Sequence, residues 1–394
     1  MREWETYKLG DLVNLYSGGT PNKANALFWD GDIPWISAKS MYEDYLETSD
    51  TFITELGLKN GTRLAKKGTI LLLTRGSGLF NRIPVCWALR DLAYNQDVKN
   101  IVSKNESLVS TEYLYYWLYG NKDAISSILE TTGIGAGKID TERFLNLEVS
   151  LPSLNNQGQI LRTIKPLFDK ITLNTRINHN LEEQAQALYK SWFVDFEPFK
   201  DGKFIDSELG MIPDGWHVKN LLELSQLFDS KRKPLSGKDR DQMAKLYPYY
   251  GATSIMDYVD SYIFDGTYLL MGEDGSVMTE DGYPFLQYVT GKFWPNNHAH
   301  VLQGNNGFST EMLHCALLRK VIKSSVTGAV QAKISQANMR KILFPCPSSA
   351  VLKAFDSQLQ TLYCQKRCIE AQNANLTSLR DSMLPQLMSG QLNC

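Results

Sequence analysis

Three stretches of the chain carry residue types that could do chemistry. Thr132-Gly133-Ile134-Gly135-Ala136-Gly137-Lys138-Ile139 is glycine-rich and ends on a lysine, as phosphate-cradling loops do. A nucleotide loop of that kind needs glycine where Thr132 stands and Ser or Thr where Ile139 stands, so nucleotide binding is not expected. The loop instead suits either a contact of its amides and Lys138 with a DNA phosphate or a structural turn. His298-Ala299-His300 sets two imidazoles on one face of a strand, a start for a metal site. No carboxylate or third histidine stands at a supporting position nearby in sequence, so no metal is expected. Glu273, Asp274, Glu280 and Asp281 read as solvated surface, although a carboxylate can also accept from the cytosine amino group. Methyl transfer would need an Asn/Asp-Pro-Pro-aromatic loop and a glycine-rich cofactor loop. The nearest candidate, Pro295-Asn296-Asn297, lacks the paired prolines. No catalytic residues are expected.

Composition narrows the classes further. Apolar residues make up 43% and charged residues 21% of 394 positions, a normal globular balance with room for two or more domains. Ile70-Leu71-Leu72-Leu73 is the longest aliphatic run, far short of the roughly 20 residues a spanning helix needs. MREWETYKLG has no apolar signal core. Cysteines at 86, 315, 346, 364, 368 and 394 form no CxxC pair, which fits a cytoplasmic protein with reduced thiols. The net charge of −2 gives no bulk attraction to nucleic acid. Any such ligand would need local positive charge or help from partners.

The elements that must position these residues come twice. Thr132-Gly133 and Lys138-Ile139 recur 195 residues on as Thr327-Gly328 and Lys333-Ile334. The same offset carries Pro152-Ser153 onto Pro347-Ser348 and Asn180-Leu181 onto Asn375-Leu376. Gly68-Thr69 and Leu71-Leu72 return as Gly266-Thr267 and Leu269-Leu270, and Trp4 returns as Trp216. A collinear series of this kind marks a duplication. Each half begins with a mixed globular part, 1–152 and 213–347. Thr69–Thr74, Thr267–Met271, Leu147–Leu151 and Ile342–Phe344 read as strands, and Thr111–Tyr119 and Glu311–Lys320 as short helices.

Each half ends in a long amphipathic helix, 153–197 and 348–394, with a polar linker at 198–212. Apolar residues fall in steps of three and four, as in a coiled-coil seam. About 40 residues make a rod of roughly 60 Å. Pro166 either starts the regular helix or kinks it. Asn178 and Asn373 interrupt the seam, as a register-fixing buried pair or a solvated bend; the bend is the reading taken. Two such helices in one chain bury their stripes on each other when antiparallel. The expected fold is α+β: two tandem-duplicated mixed α/β domains separated by two long antiparallel coiled-coil helices, a dumbbell with pseudo-twofold symmetry. Trp192, Phe193, Phe196 and Phe199 are then expected to be exposed and to face partners, or else to pack under the adjoining domain.

Several stretches resemble the specificity subunits of type I restriction-modification systems. They are Trp4-x-x-Tyr7-Lys8-Leu9-Gly10-Asp11-Leu12, Ser17-Gly18-Gly19-Thr20-Pro21, Gly31-Asp32-Ile33-Pro34-Trp35-Ile36-Ser37, the helix Leu181–Phe196 and the tail Leu384-Pro385-Gln386-Leu387-Met388-Ser389-Gly390-Gln391-Leu392. The second half departs from the pattern, with Phe228-Asp229-Ser230-Lys231-Arg232-Lys233-Pro234-Leu235 where the first has its Ser-Gly-Gly-Thr-Pro loop. The resemblance implies two target recognition domains, 1–152 and 213–347, each reading half of a split sequence in double-stranded DNA. It implies that the helices dock two methyltransferase subunits, and that restriction (motor-nuclease) subunits join them. S-adenosylmethionine, ATP and Mg would then belong to those partners. A duplicated adaptor that binds two proteins and no DNA is the alternative.

Under this reading, contacts come from loops with small, polar and basic residues beside aromatics. In the first half these are Ser17, Gly18, Gly19, Thr20, Trp35, Ser37, Lys39, Thr74, Arg75, Gly76, Ser77, Asn95, Gln96, Gly133 and Lys138. In the second they are Lys231, Arg232, Lys233, Tyr250, Ser254, Glu273, Asp274, Ser276, Asn296, Asn297, His298, His300, Gly328, Gln331 and Lys333. Arg75 suits the guanine edge, and Gln96 or Asn95 that of adenine. Lys138 and Lys333, common to both halves, suit phosphate, because base readers should differ between halves.

Overall fold

The computed structural model describes residues 4–133, 135–328 and 331–392. Ile134, Ala329 and Val330 of the two repeated loops lie outside the described residues, as does Cys394. The chain forms two compact units, one made of Met1–Thr175 with Ala371–Cys394, the other of Arg176–Glu370.

In unit one the aliphatic run makes the strand Ile70–Leu73, buried at all four positions. That is the pattern of a strand covered on both faces. It is central in a five-stranded sheet ordered Val13–Ser17, Val98–Ser103, Ile70–Leu73, Val85–Ala88, Tyr45–Leu46. A four-stranded sheet contains Trp29–Ile36 and Leu92–Tyr94, and a three-stranded one joins Leu129–Thr131, Gly137–Ile139 and Arg75–Gly76. The expected helix spans Thr111–Gly120, where the Ser110 hydroxyl caps it by accepting from the Tyr113 N–H at 3.1 Å. Ile160, Ile164 and Phe168 of the first long helix complete the core, with Leu384, Leu387 and Met388 of the second.

Unit two repeats the plan with a six-stranded sheet: Ser225–Leu227, Ala299–Gly304, Phe264–Gly272, Leu286–Pro295, Tyr247–Tyr250, Ile255–Val259. Its helix Thr310–Leu318 is capped by Ser309, which accepts from the Met312 N–H at 3.1 Å. Backbone detail repeats too. Glu5–Lys8 pairs with Glu148–Leu151 as His217–Asn220 pairs with Leu343–Cys346. Just beyond each pair, Leu9 N–H donates to the Leu147 carbonyl at 2.8 Å and Leu221 N–H to that of Ile342 at 2.9 Å.

The long helices run over Leu154–Phe193 and Ser349–Met388. Pro166 lies inside the first, so it does not start it; its missing N–H leaves the Arg162 carbonyl without its helical partner. Within each unit the two helices pass antiparallel. In unit one Asn174 meets Asn373, and Phe168 meets Arg380, whose guanidinium carbon is 5.1 Å from the ring centre. In unit two Glu182 lies 3.8 Å from Lys366, and the ring centres of Tyr189 and Phe355 are 6.1 Å apart.

Two expectations about the helices are corrected. The seam at Asn373 is no solvated bend. Asn373 is half-buried and bonded to Asn174, which is 1% exposed, while the Asn178 side-chain oxygen is buried without a partner among the described residues. The aromatic run is not an exposed patch either. Phe193 is 3% exposed, and Trp192, Phe196 and Phe199 are half-buried. Their rings pack on Trp216 and Phe355 at centroid distances of 4.8–5.6 Å. The apolar stripe therefore serves the globular core of its own unit as well as the partner helix.

Among the described residues no helix is long and apolar enough to cross a membrane. Cys86, Cys315 and Cys346 are buried free thiols, and Cys364 and Cys368 are exposed ones.

Candidate nucleic-acid interface

Unit one draws its candidate segments together around the ends of two strands, Val98–Ser103 and Ile70–Leu73. Gly19 N–H donates to the Tyr94 carbonyl at 3.0 Å and Thr20 Oγ1 to Gln96 Oε1 at 2.7 Å. A Cβ on Gly18 would sit 2.0 Å from the Tyr94 carbonyl oxygen, so only glycine lets the 17–20 loop lie this close. Asn95 N–H donates to the Ile36 carbonyl, which places Ser37 and the exposed Lys39 beside that loop. Thr74 N–H donates to the Asp97 carbonyl at 2.7 Å. Directly after Thr74, Arg75 stands opposite Lys138, and Gly76 opposite Gly137, in antiparallel register. Paired residues of this kind project to the same face. Arg75 is exposed and Lys138 half-exposed; neither forms an ion pair or side-chain hydrogen bond with another described residue. Gly133 and Ser77 are exposed at the same edge.

Trp35 and Asn95 are held inside. Trp35 is buried and its indole N–H donates to the Gly19 carbonyl at 3.0 Å. Asn95 is 7% exposed and its Oδ1 accepts from the Asp97 N–H. Gln96 is the exposed residue of that turn. Lys99, absent from the sequence reading, joins the face: its Nζ donates to Ser17 Oγ at 2.6 Å. Burial and nearby Arg75 push its pKa down, with Asp97 opposing them. The signal was there, since Lys99 follows Asn95-Gln96 at strand spacing, but a lysine inside a strand pattern reads as ordinary surface.

Unit two assembles the corresponding segments differently. Asn296, 3% exposed, repeats the Asn95 turn by accepting from the His298 N–H at 2.8 Å. Its N–H donates to the Tyr250 carbonyl, beside the exposed Ser254. The expected His298–His300 face does not form: His298 is exposed ahead of the strand and His300 is buried within it. Carboxylates absent from the local sequence arrive from elsewhere. His300 Nδ1 lies 2.6 Å from Asp229 and 3.6 Å from Glu273, a grouping with the ligand types of a metal site. Arg232 fills it, with Nη1 donating to Glu273 at 2.6 Å and to the Ala299 carbonyl at 2.5 Å. The His300 Nε2 faces the Ile334 carbonyl at 2.9 Å. Both ring nitrogens thus point at groups that only accept, which requires the doubly protonated imidazolium. Burial pushes its pKa down, but the bond and charge of Asp229 outweigh burial and raise it.

His300 and Arg232, expected as contacts, are therefore committed inside the protein. Lys333 stays exposed but is ion-paired, 3.3 Å from Asp274 and 3.8 Å from Glu273. Gln331, Ser276, Asn297, Lys231 and Lys233 remain exposed. Gly328 is required by its turn, with a φ of +94° and the Gln331 carbonyl oxygen 2.1 Å from where a Cβ would stand.

Comparison with known proteins agrees with this duplicated architecture. A family described as the type I restriction modification DNA specificity domain matches residues 1–183 and 213–370. The type I restriction enzyme MjaIX specificity subunit of Methanocaldococcus jannaschii is 28% identical over 414 residues, covering 99% of this chain and 94% of that subunit. The HindI specificity subunit of Haemophilus influenzae is 22% identical over 488 residues, covering all of both chains. In fold, the chain is similar to the crystal structure of the S subunit from M. genitalium, with a TM-score of 0.56 at 16% identity, covering 98% of this chain and 96% of that one.

Proposed function

The chain belongs to the type I restriction-modification DNA specificity family, and from that premise we propose that it reads a two-part DNA target for partner enzymes and is itself non-catalytic. Each unit presents one half-site reader, and the half-sites are separated by bases that neither unit reads. The long helices serve as docking rods for two methyltransferase subunits, which restriction subunits join. S-adenosylmethionine, ATP and Mg are taken by those subunits. The complex works in the cytoplasm.

One observation carries this reading. The two units build the same backbone frame, down to the buried turn asparagines Asn95 and Asn296, and arm it with different side chains. A frame repeated for strength alone has no need to vary its exposed tips. Two readers of different base sequences must vary them.

The test is the methylome of a strain expressing the chain with its methyltransferase partner. Methylated adenine in a split motif that vanishes when the gene is deleted is expected. No such motif, with the partner active, would leave the chain as an adaptor without DNA recognition.

A further inference from the structure

The hydrogen bonds align the two faces position by position. Lys99 pairs with Ser17 across strands, and the register Leu227–Leu302, continued by the Phe228 N–H to Val301 carbonyl bond, pairs His300 with Asp229. Ile139 N–H donates to the Thr74 carbonyl as Ile334 N–H does to that of Glu273. Thr74 and Glu273 are therefore equivalent, as are their successors Arg75 and Asp274. The repeated lysines Lys138 and Lys333 stand opposite Arg75 and Asp274 respectively.

The charge at these positions is positive in unit one and balanced in unit two. Unit one has three cations, Arg75, Lys99 and Lys138, and no carboxylate in the set. Unit two has the cations His300 and Lys333, with Arg232 at the place of Thr20, against the carboxylates Asp229, Glu273 and Asp274. Its six charges cancel through contacts of 2.6–3.8 Å. Asp97 and Glu130 border the first set, yet a positive excess remains with both counted. In the neighbouring loop Lys231 and Lys233 are exposed and form no ion pair with another described residue; Lys231 lies 5.2 Å over the Phe228 ring.

We infer that the two repeated lysines have taken different tasks: Lys138, opposite the base-reading Arg75, is an unpaired cation for the DNA backbone, whereas Lys333, though exposed, is tied into an ion-paired lock as its outer latch, and Lys231 and Lys233 meet the backbone in its place. This rests on the DNA-reading function proposed above. A cation already held against carboxylates contributes less to counterion release on DNA binding than a free one. The lock also joins four segments (229–232, 273–274, 300 and 333–336), so unit two reads DNA from a braced frame, with Gln336 Nε2 closing it on Asp229 at 3.2 Å.

The test is the salt dependence of binding by the full chain, assembled with its methyltransferase subunits, to one duplex carrying the methylome-defined target and one scrambled duplex. Lys138→Ala should lower the slope of log affinity against log salt by about 0.9, the value of one phosphate contact. Lys231→Ala with Lys233→Ala should lower it by about 1–2 on the same scale. Lys333→Ala should leave the slope within roughly a third of one contact and lower the melting temperature instead. If Lys333→Ala does not fold, Asp274→Asn serves: it keeps the lysine, frees it from its nearer partner, and should steepen the slope. Equal slope losses for Lys138→Ala and Lys333→Ala, no loss for the Lys231/Lys233 pair, or a shallower slope for Asp274→Asn would each overturn the assignment. A wild-type complex that binds both duplexes alike and without salt dependence would overturn the DNA-reading function itself, and the inference with it.

Discussion

Asn174 of the first long helix donates its amide to Asn373 Oδ1 of the second at 2.8 Å and to Gln372 Oε1 at 2.7 Å. Asn373 returns a bond to the Ile171 carbonyl at 3.3 Å. A buried polar pair in an apolar seam fixes which residues face each other, because any slip strands the amides without partners. Asn174→Leu should lower stability by about 1–3 kcal/mol, since it leaves Asn373 short of a partner. Asn174→Leu with Asn373→Leu should recover part of that loss. Urea denaturation of the four members of the cycle gives the coupling, expected to exceed about 0.5 kcal/mol; strictly additive losses would remove the register role.

Phe193 packs against Tyr189, Trp216 and Phe355 in the core of unit two. Phe193→Ala should cost about 3–5 kcal/mol, the range for emptying a buried aromatic site. Leu173, half-exposed on the same helix at 51%, should tolerate alanine within about 0.5 kcal/mol. Thermal unfolding of both variants separates a core residue from a surface one.

The lock in unit two sets a pH dependence. His300 has a raised pKa, so its stabilisation is complete below the usual imidazole value near 6.5 and is lost as pH rises through the folded value. Asp229 has the opposite sense. Burial pushes its pKa up, but the bond from His300 prevails and holds it below the usual carboxylate value, so its contribution is lost as pH falls through that lower value. Unit two should be most stable between these limbs. His300→Gln should cost about 1–3 kcal/mol near pH 6, as expected for a charged hydrogen bond, and should flatten the alkaline limb. Melting temperature measured from pH 5 to 9 on both proteins checks this.

Neighbouring residues in the 95–99 turn should behave in opposite ways. Asn95→Ala removes a buried turn acceptor and should lower stability by about 1–2 kcal/mol. Gln96→Ala should leave the melting temperature unchanged and relax one position of the methylated motif. Arg75→Ala should relax another by about 1–3 kcal/mol of discrimination, the value of a bidentate guanine contact. Motif logos from strains carrying each variant report the outcome.

Much of this architecture is legible in the residues. The duplication shows in Lys138-Ile139 and Lys333-Ile334, the buried strand in Ile70–Leu73, and both long helices in their three-and-four spacing. The committed state of a side chain is not legible. His300 looks accessible beside His298, and nothing local announces Asp229, which lies 71 positions away and is brought in by strand pairing. Arg232 and Lys333 read as free cations for the same reason, because their neutralising carboxylates come from a different strand. Asn95 and Asn296 fit the pattern of base readers by type; only burial reveals that they hold the turn. The aromatic run after Leu188 carries no mark that distinguishes a docking patch from a core lid, since both need large rings at helical spacing.

The division of the chain into units has a consequence for the order of synthesis. Unit two is one continuous stretch, Arg176–Glu370, whereas unit one is closed by Leu384, Leu387 and Met388 from the far end of the chain. As the polypeptide leaves the ribosome, the second reader can finish its core while the first still waits for its closing helix segment. Loss of that last segment would therefore injure the reader that was made first.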